Sequence, residues 1–234
     1  MANTTDTTNF NLDLASIVEE AFERCGAELR SGYDLRTARR SLNLLLLEWA
    51  NRGINLWTIE QGTLALVAGT ATYNLPVDTV DLLEHVLRTG TGTAQIDTSL
   101  SRLSVSDYAA IANKNATGKP LQVWVERRSG ATSSAGTPVP PRVHVWPVPN
   151  QSYTLAYWRM RRLQDAGTGV EGQDIPFRFL PCLVAGLAYH LSLKIPGALE
   201  RRQELKMEYE QQWEMAADED REKADLRIVP RISY

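Results

Sequence analysis

Apolar positions along the chain change their period twice. In "LASIVEEAFERCG", Leu14, Ile17, Val18, Ala21, Phe22 and Cys25 recur at i, i+3, i+4, i+7, i+8 and i+11, which is one face of a helix. Asp13 is placed to cap its start and Gly26 to end it. "LRTARRSLNLLLLEWAN" repeats the pattern from about Leu35 to Asn51, with Asp34 as the expected N-cap and Gly53 as the stop. Leu35, Ala38, Leu42, Leu45, Leu46 and Trp49 line one face. Leu44 and Leu47 widen the stripe, which predicts neighbours on more than one side of this helix. The short "RSGYD" between the two helices predicts an αα-hairpin.

The period falls to two after "LWTIEQGTLALVAGTATYNLP". Thr63–Val67 and Thr70–Leu75 read as strands flanking a tight turn at Ala68-Gly69. Further strands are predicted near 80–89, 95–100, 121–128, 142–146 and 152–162, with "VSDYAAIANK" as a short helix capped by Ser104 or Ser106. "RRSGATSSAGTPVPP" is expected as an exposed, mobile hairpin tip, and the polar "QDAGTGVEGQD" ends the β region. Helical spacing then returns. "PFRFLPCLVAGLAYHLSLK" is apolar almost all round and predicts a buried helix, from near Asp174 to Pro196-Gly197. "ALERRQELKMEYEQQWEMAADEDREKA" predicts a polar helix of roughly 25 residues, about 38 Å long, with a narrow stripe of Leu205, Tyr209, Trp213 and Ala216. The order α-α, β, α-α predicts an α+β fold. A helical hairpin (1–56) and two C-terminal helices (174–225) form a helical bundle, an antiparallel β subdomain (57–165) is inserted, and an extended arm (226–234) follows.

Composition narrows the function classes. A chain of 234 residues with 43% hydrophobic and 23% charged content can bury a core without disulfides or metal. A net charge of −3 argues against a dedicated nucleic-acid binder, though not against local basic patches. Cys25 and Cys182 both fall in apolar runs and read as reduced core thiols of a protein in a reducing compartment. The Thr/Asn-rich first ten residues are expected to be mobile and are no signal peptide. "FLPCLVAGLAYHL" is too short to span a bilayer, so a soluble protein without membrane partners is expected.

Candidate chemistry is sparse. His85, His144 and His190 have no metal-ligand spacing, and neither a nucleophile elbow nor a phosphate-binding loop is present. No catalytic, metal or cofactor residue is therefore assigned. Trp124, Trp146 and Trp158 alternate with polar neighbours in predicted strands. They read either as a shared β core or, with Arg127, Arg128, Arg159, Arg161 and Arg162 nearby, as a base-stacking surface. In "YTLAYWRMRR" the residues Tyr153, Leu155, Tyr157, Arg159 and Arg161 share one face, which fits a strand leaving its core for solvent or a partner. Segment 199–224 carries nine acidic and five basic residues. Its Glu208, Glu214 and Asp218 and the basic Arg127, Arg128, Arg159 and Arg161 are candidate halves of one inter-subunit charge contact, or simply solvated faces.

The arm "LRIVPRISY" is apolar and β-branched. Leu226, Ile228, Val229, Ile232 and Tyr234 each gain ~1.5–3 kcal/mol on full burial, whereas ordering about nine residues costs roughly 1–2 kcal/mol each. One arm is thus a weak ligand that gains by docking as one of many. Pro230 restricts it to an edge or non-ladder position. Leu226, Arg227, Ile228, Val229, Pro230, Arg231, Ile232 and Tyr234 are the candidate contacts with a partner, and packing back on the chain's own β subdomain is the alternative.

The ordered set "LASIVEEAFERCG", "LRTARRSLNLLLLEWANRGINLWTIEQ", "GTLALVAGTATYNLPVDTVDLLEHV", "VHVWPVPNQSYTLAYWRMRR" and "IPFRFLPCLVAGLAYHLSLK" resembles the head-to-tail adaptor proteins of tailed bacteriophages, including the tail accessory and tubular-adaptor proteins of short-tailed phages. The resemblance implies a structural virion protein at the head–tail junction, present in host cytoplasm before assembly. It implies a dodecameric ring beneath the portal that binds the portal on one side and a tail or nozzle protein on the other. Packaged double-stranded DNA would be retained and later pass through the lumen without sequence-specific binding, and no cofactor is implied. Two other classes remain open: a virion-associated cell-wall hydrolase and a single-stranded nucleic-acid module.

Overall fold

The computed structural model describes residues 10, 12–53, 56–128, 132–133, 136–167 and 173–221. The fold is α+β. Its described residues divide into two compact units, a helical one built from residues up to Trp57 and from Leu163 onward, and a β-rich one spanning Thr58–Arg162. The candidate arm residues Leu226 to Tyr234, and the end of the predicted last helix from residue 222, lie outside the described residues.

Four helices make the first unit. Helix α1 (Leu14–Arg24) starts where the Asp13 side chain accepts the Ser16 N–H at 2.8 Å, and it buries Leu14, Ile17, Val18, Ala21 and Phe22. Helix α2 (Gly32–Arg52) begins a turn before the predicted Leu35. Its N-cap is Ser31, and Asp34 is the third helical residue of a reciprocal capping box. The first turn buries nothing at the core, so apolar periodicity could not reveal it. Helix α4 (Leu180–Ser192) is the central element, buried without interruption from Cys182 to Ala188 and packed by α1, α2 and helix α5 (Arg202–Glu219). A Cβ on Gly186 of α4 would lie 2.9 Å from both Leu45 and Tyr209, so the absent side chain sets how closely α2 and α5 approach. Pro196-Gly197-Ala198 forms a separate 3-10 turn before α5, which is shorter than the predicted helix at 18 residues. Trp57, Phe179, Trp49 and Trp213 form a continuous ring cluster, with successive centroids 4.5, 5.7 and 5.2 Å apart.

The second unit is two four-stranded sheets sharing one core. Strands β1 (Ile59–Leu66), β10 (Tyr153–Arg161), β3 (Thr79–Thr89) and β4 (Ile96–Ser99) are ordered β1-β10-β3-β4, all antiparallel. Strands β2 (Thr72–Asn74), β8 (Arg142–Trp146), β7 (Gln122–Glu126) and β5 (Ser101–Arg102) form the other sheet. It is antiparallel except for the short parallel β5–β7 pair. A small parallel pair joins β6 (Thr117–Gly118) to β9 (Val148–Pro149), and the Trp146–Pro147 peptide before β9 is cis. Helix α3 (Val105–Ala110) is capped by Ser104, in a capping box with Asp107.

The turn at Ala68-Gly69 forms, with Gly69 at φ 80° and the Thr70 N–H bonded to the Val67 carbonyl at 3.1 Å. The Tyr73 hydroxyl clasps it, accepting from the Val67 N–H at 2.8 Å and facing the Thr70 carbonyl at 2.8 Å. Yet the strands it joins do not pair. β1 pairs with β10 and β2 with β8, so the chain crosses from one sheet to the other. Gly62 on β1 sits opposite Tyr157 on β10, whose ring lies where a Cβ would be, 2.6 Å away. Leu66, Leu82, Leu87, Leu155 and Tyr157 from one sheet meet Val123, Val125, Val143 and Val145 from the other.

Candidate interaction surfaces

The arginines singled out in the β-rich unit are engaged within that unit. Arg159 donates to Asp78 at 2.6 Å and to Glu60 at 2.8 Å, and Arg161 donates to Glu60 at 2.6 Å. Their side chains are only 11% and 13% exposed. The apolar-to-basic face of β10 therefore ends in a closed ion cluster. Glu60 of β1 is the direct cross-strand partner of Arg159, and the β10–β3 pairing shifts register after Trp158 and after Met160. Arg159 first, through its hydrogen bonds, holds the Asp78 carboxyl below the usual range. Arg127 pairs with Asp81, which also accepts from Arg102 at 2.7 Å, and Arg128 lies 3.5 Å from Glu126. Burial alone would raise the Asp81 carboxyl, but the Arg127 and Arg102 hydrogen bonds outweigh it and hold the pKa low. Most of the Arg127 side chain remains exposed.

The tryptophans lie on the opposite face from the one a shared core requires. Val123, Val125, Val143 and Val145 point inward, so Trp124, His144 and Trp146 occupy the outer face of β7 and β8. Trp124 stacks on His144 at 4.5 Å and on Tyr108 of α3 at 4.6 Å, and the Trp146 indole N–H donates to the Asn113 carbonyl at 3.0 Å. His144 Nε2 faces the Glu126 carboxylate at 3.3 Å and Nδ1 faces the Thr72 hydroxyl at 3.0 Å. An ionised carboxylate only accepts, so Nε2 carries the proton. Trp158 on β10 is half-buried. His85 is buried in the unit's interior, where desolvation, then the Arg102 charge, push its pKa down and keep it neutral.

In the helical unit a polar network ties α2 to α5. The Trp49 indole donates to the Tyr209 hydroxyl at 3.0 Å, and that hydroxyl donates to Glu48 at 3.0 Å. Arg52 bridges Glu48 at 2.6 Å and Glu210 at 2.9 Å, and lies over the Tyr209 and Trp213 rings. His190 faces Glu48 at 3.1 Å. Burial would raise the Glu48 carboxyl, but bonds from Arg52 and Tyr209 reverse that and keep it ionised. Glu48 and Glu210 clamp one guanidinium, an arrangement for a strut rather than for a general acid facing a general base. Burial pushes the Cys25 thiol up to about 11 and Cys182 up to about 12, so both are unreactive core residues. No His/Cys/Asp/Glu group able to hold a metal occurs among the described residues.

The candidate acidic residues of α5 divide. Glu208 is paired with Arg24 of α1 at 2.6 Å, whereas Glu214 and Asp218 lie on the outer face, Asp218 beside Arg221 at 2.5 Å. That outer face also carries Met207 and Met215. A second outer stripe runs along α2 through Tyr33, Arg36, Arg40, Leu44 and Leu47. The neighbour expected on the Leu44/Leu47 side is absent among the described residues, leaving Leu44 57% and Leu47 63% exposed. Their spacing with Arg36 and Arg40 was visible as a second helical stripe. What could not be read was that no described element would cover Leu44 and Leu47.

The helical unit thus presents two chemically different outer helix faces, and many of its carboxylates are held in ion pairs. The chain belongs to the SU10 adaptor protein family, whose model matches residues 12–231, a family of structural phage head–tail adaptors. This bears out the resemblance carried by the ordered sequence segments. No curated protein matches the chain. No helix among the described residues is long and apolar enough to cross a membrane.

Proposed function

We propose that the protein forms a ring beneath the portal, closes the DNA-filled head and joins it to the tail. The family supports an adaptor role, and the observation that carries the reading is the pair of unlike outer faces on one helical unit. A closed ring of identical copies needs heterologous contacts, hence two different surfaces per copy. The ring is expected to be a dodecamer on the portal, with a tail or nozzle protein on its far side and double-stranded DNA in its lumen.

The arm 226–234 is the proposed contact with portal or with an adjacent copy, through Leu226, Ile228, Val229, Ile232 and Tyr234. Glu214 and Asp218 are the proposed acidic contacts between copies, a reading supported by their exposure on the outer face of α5. Arg127 is the most accessible of the four candidate arginines, and a role for Arg159 or Arg161 would require them to exchange Glu60 and Asp78 for a partner's carboxylates. Truncation after Ala224 tests the arm. Portal co-sedimentation is expected to fall at least tenfold, with the melting temperature of the free protein changed by less than about 2 °C. Undiminished co-sedimentation removes the arm from the interface, and unfolding of the truncated chain assigns it to the chain's own core.

A further inference from the structure

Leu44 and Leu47 are solvent-facing leucines on a helix whose opposite face is fully packed. They follow Arg36 and Arg40, neither of which has a carboxylate partner among the described residues. Along α5 the outward order is reversed. Met207 comes first, at 65% exposure, then Gln211, then the acidic Glu214 and Asp218, with the 60% exposed Met215 alongside. Both helices flank α4 and meet each other through Trp49, Arg52, Tyr209 and Glu210, so the two stripes belong to one compact unit.

We propose that the outward stripe of α2 in one copy docks antiparallel on the outward stripe of α5 in the next copy, Arg36 and Arg40 against Asp218 and Glu214, and Leu44 and Leu47 against Met207 and the stem of Gln211. The docking rests on the ring reading above and names the contact that closes it. The distances agree. Arg36 to Leu47 and Met207 to Asp218 span the same number of residues, about 16 Å of helix each. The antiparallel direction sets charge against opposite charge and apolar against apolar, whereas the parallel direction leaves Arg36 opposite Met207 and Leu47 opposite Asp218. The contact is heterologous, because α2 never meets α2, and so it propagates around a ring. Exposed ion pairs contribute little singly. Two free copies therefore separate readily, and the interface persists where a template holds many copies at high effective concentration.

Charge reversal tests this on the full chain mixed with the portal of the same virus, with rings counted by electron microscopy and sedimentation. The double variants Arg36→Glu/Arg40→Glu and Glu214→Arg/Asp218→Arg are each expected to form at least tenfold fewer rings than wild type. An equimolar mixture of the two is expected to restore them, since each reversed α2 then meets a reversed α5 and each unreversed α2 an unreversed α5. Circular dichroism melts near the wild-type midpoint show that the variants fold. The milder Arg36→Gln/Arg40→Gln, expected to weaken assembly severalfold and more steeply as salt rises, covers a reversal that does not fold. If wild type forms rings and each reversal does so equally well, the docking is wrong while the ring stands. Normal rings with weakened retention of DNA in the Arg36/Arg40 variant would mean that these arginines face the lumen. Failure of the mixture to assemble also overturns the pairing. Absence of rings from wild type itself removes the ring reading and this contact with it.

Discussion

Replacing Tyr209 with Phe deletes one hydroxyl at the junction of α2 and α5 and leaves the ring packing intact. Two bonds go with it. The Trp49 indole N–H, fully buried, loses its acceptor at 3.0 Å, and Glu48 loses a donor at 3.0 Å. The two losses are unequal. Glu48 keeps Arg52 and His190 and stays in contact with water, so its share is about 0.5–1 kcal/mol. The Trp49 indole has no other partner among the described residues, and a buried donor left unpaired costs about 1–3 kcal/mol. The sum, roughly 1.5–4 kcal/mol, corresponds to a fall of about 5–15 °C in the melting temperature of a unit this size. The measurement is a urea or thermal melt followed by far-UV circular dichroism, which weights the helical unit. Tyr189→Phe, on a half-buried tyrosine stacked on Tyr209 at 6.2 Å, is the control and should change stability by less than about 0.5 kcal/mol. In Trp49→Phe/Tyr209→Phe the orphaned donor is gone, so the double variant should lose at least about 1 kcal/mol less than the sum of the singles. If Tyr209→Phe costs no more than its control, the relay does not hold the helices together.

Gly186→Ala gains about 1 kcal/mol of helix propensity but forces a Cβ to 2.9 Å from two buried side chains, a strain of about 1–3 kcal/mol; net destabilisation in the same melt is expected, and stabilisation would refute the close-approach argument. Asp81→Asn should destabilise the β-rich unit by about 2 kcal/mol, because Arg102 and Arg127 lose their shared carboxylate. Asp81 and Asp78 both have pKa values lowered on folding, so their stabilisation is present above the unfolded value near ~4 and is lost as pH falls through the folded values. Stability of the β-rich unit, followed by tryptophan fluorescence, should therefore drop below about pH 4, and Asp81→Asn should flatten that slope.

The sequence by itself determined the elements with strong period. α1, the central α4 and the long strands β3, β8 and β10 were legible because burial on one face, or all round, writes itself directly into residue order. So was the turn at Gly69, where a positive φ calls for glycine. It also carried the family, through segments whose order no single motif supplies. Tertiary structure decided everything that depends on which of two possible faces or partners is used. Alternation placed Trp124 and Val123 on opposite faces of β7, but only the second sheet makes the valine side the core. The turn at Gly69 implied a hairpin, but β10 and β8, each far along the chain, outcompeted the local pairing of β1 with β2. Arg159 and Arg161 read as basic surface because the carboxylates that neutralise them are distant in sequence, Glu60 lying 99 residues and Asp78 81 residues before Arg159. α2 offered two helical stripes, and α4 can cover only one of them. The face of Ala38, Leu42, Leu45, Leu46 and Trp49 was legible as the apolar one, but only three-dimensional packing shows that Leu44 and Leu47, expected to meet a second neighbour, stay exposed among the described residues.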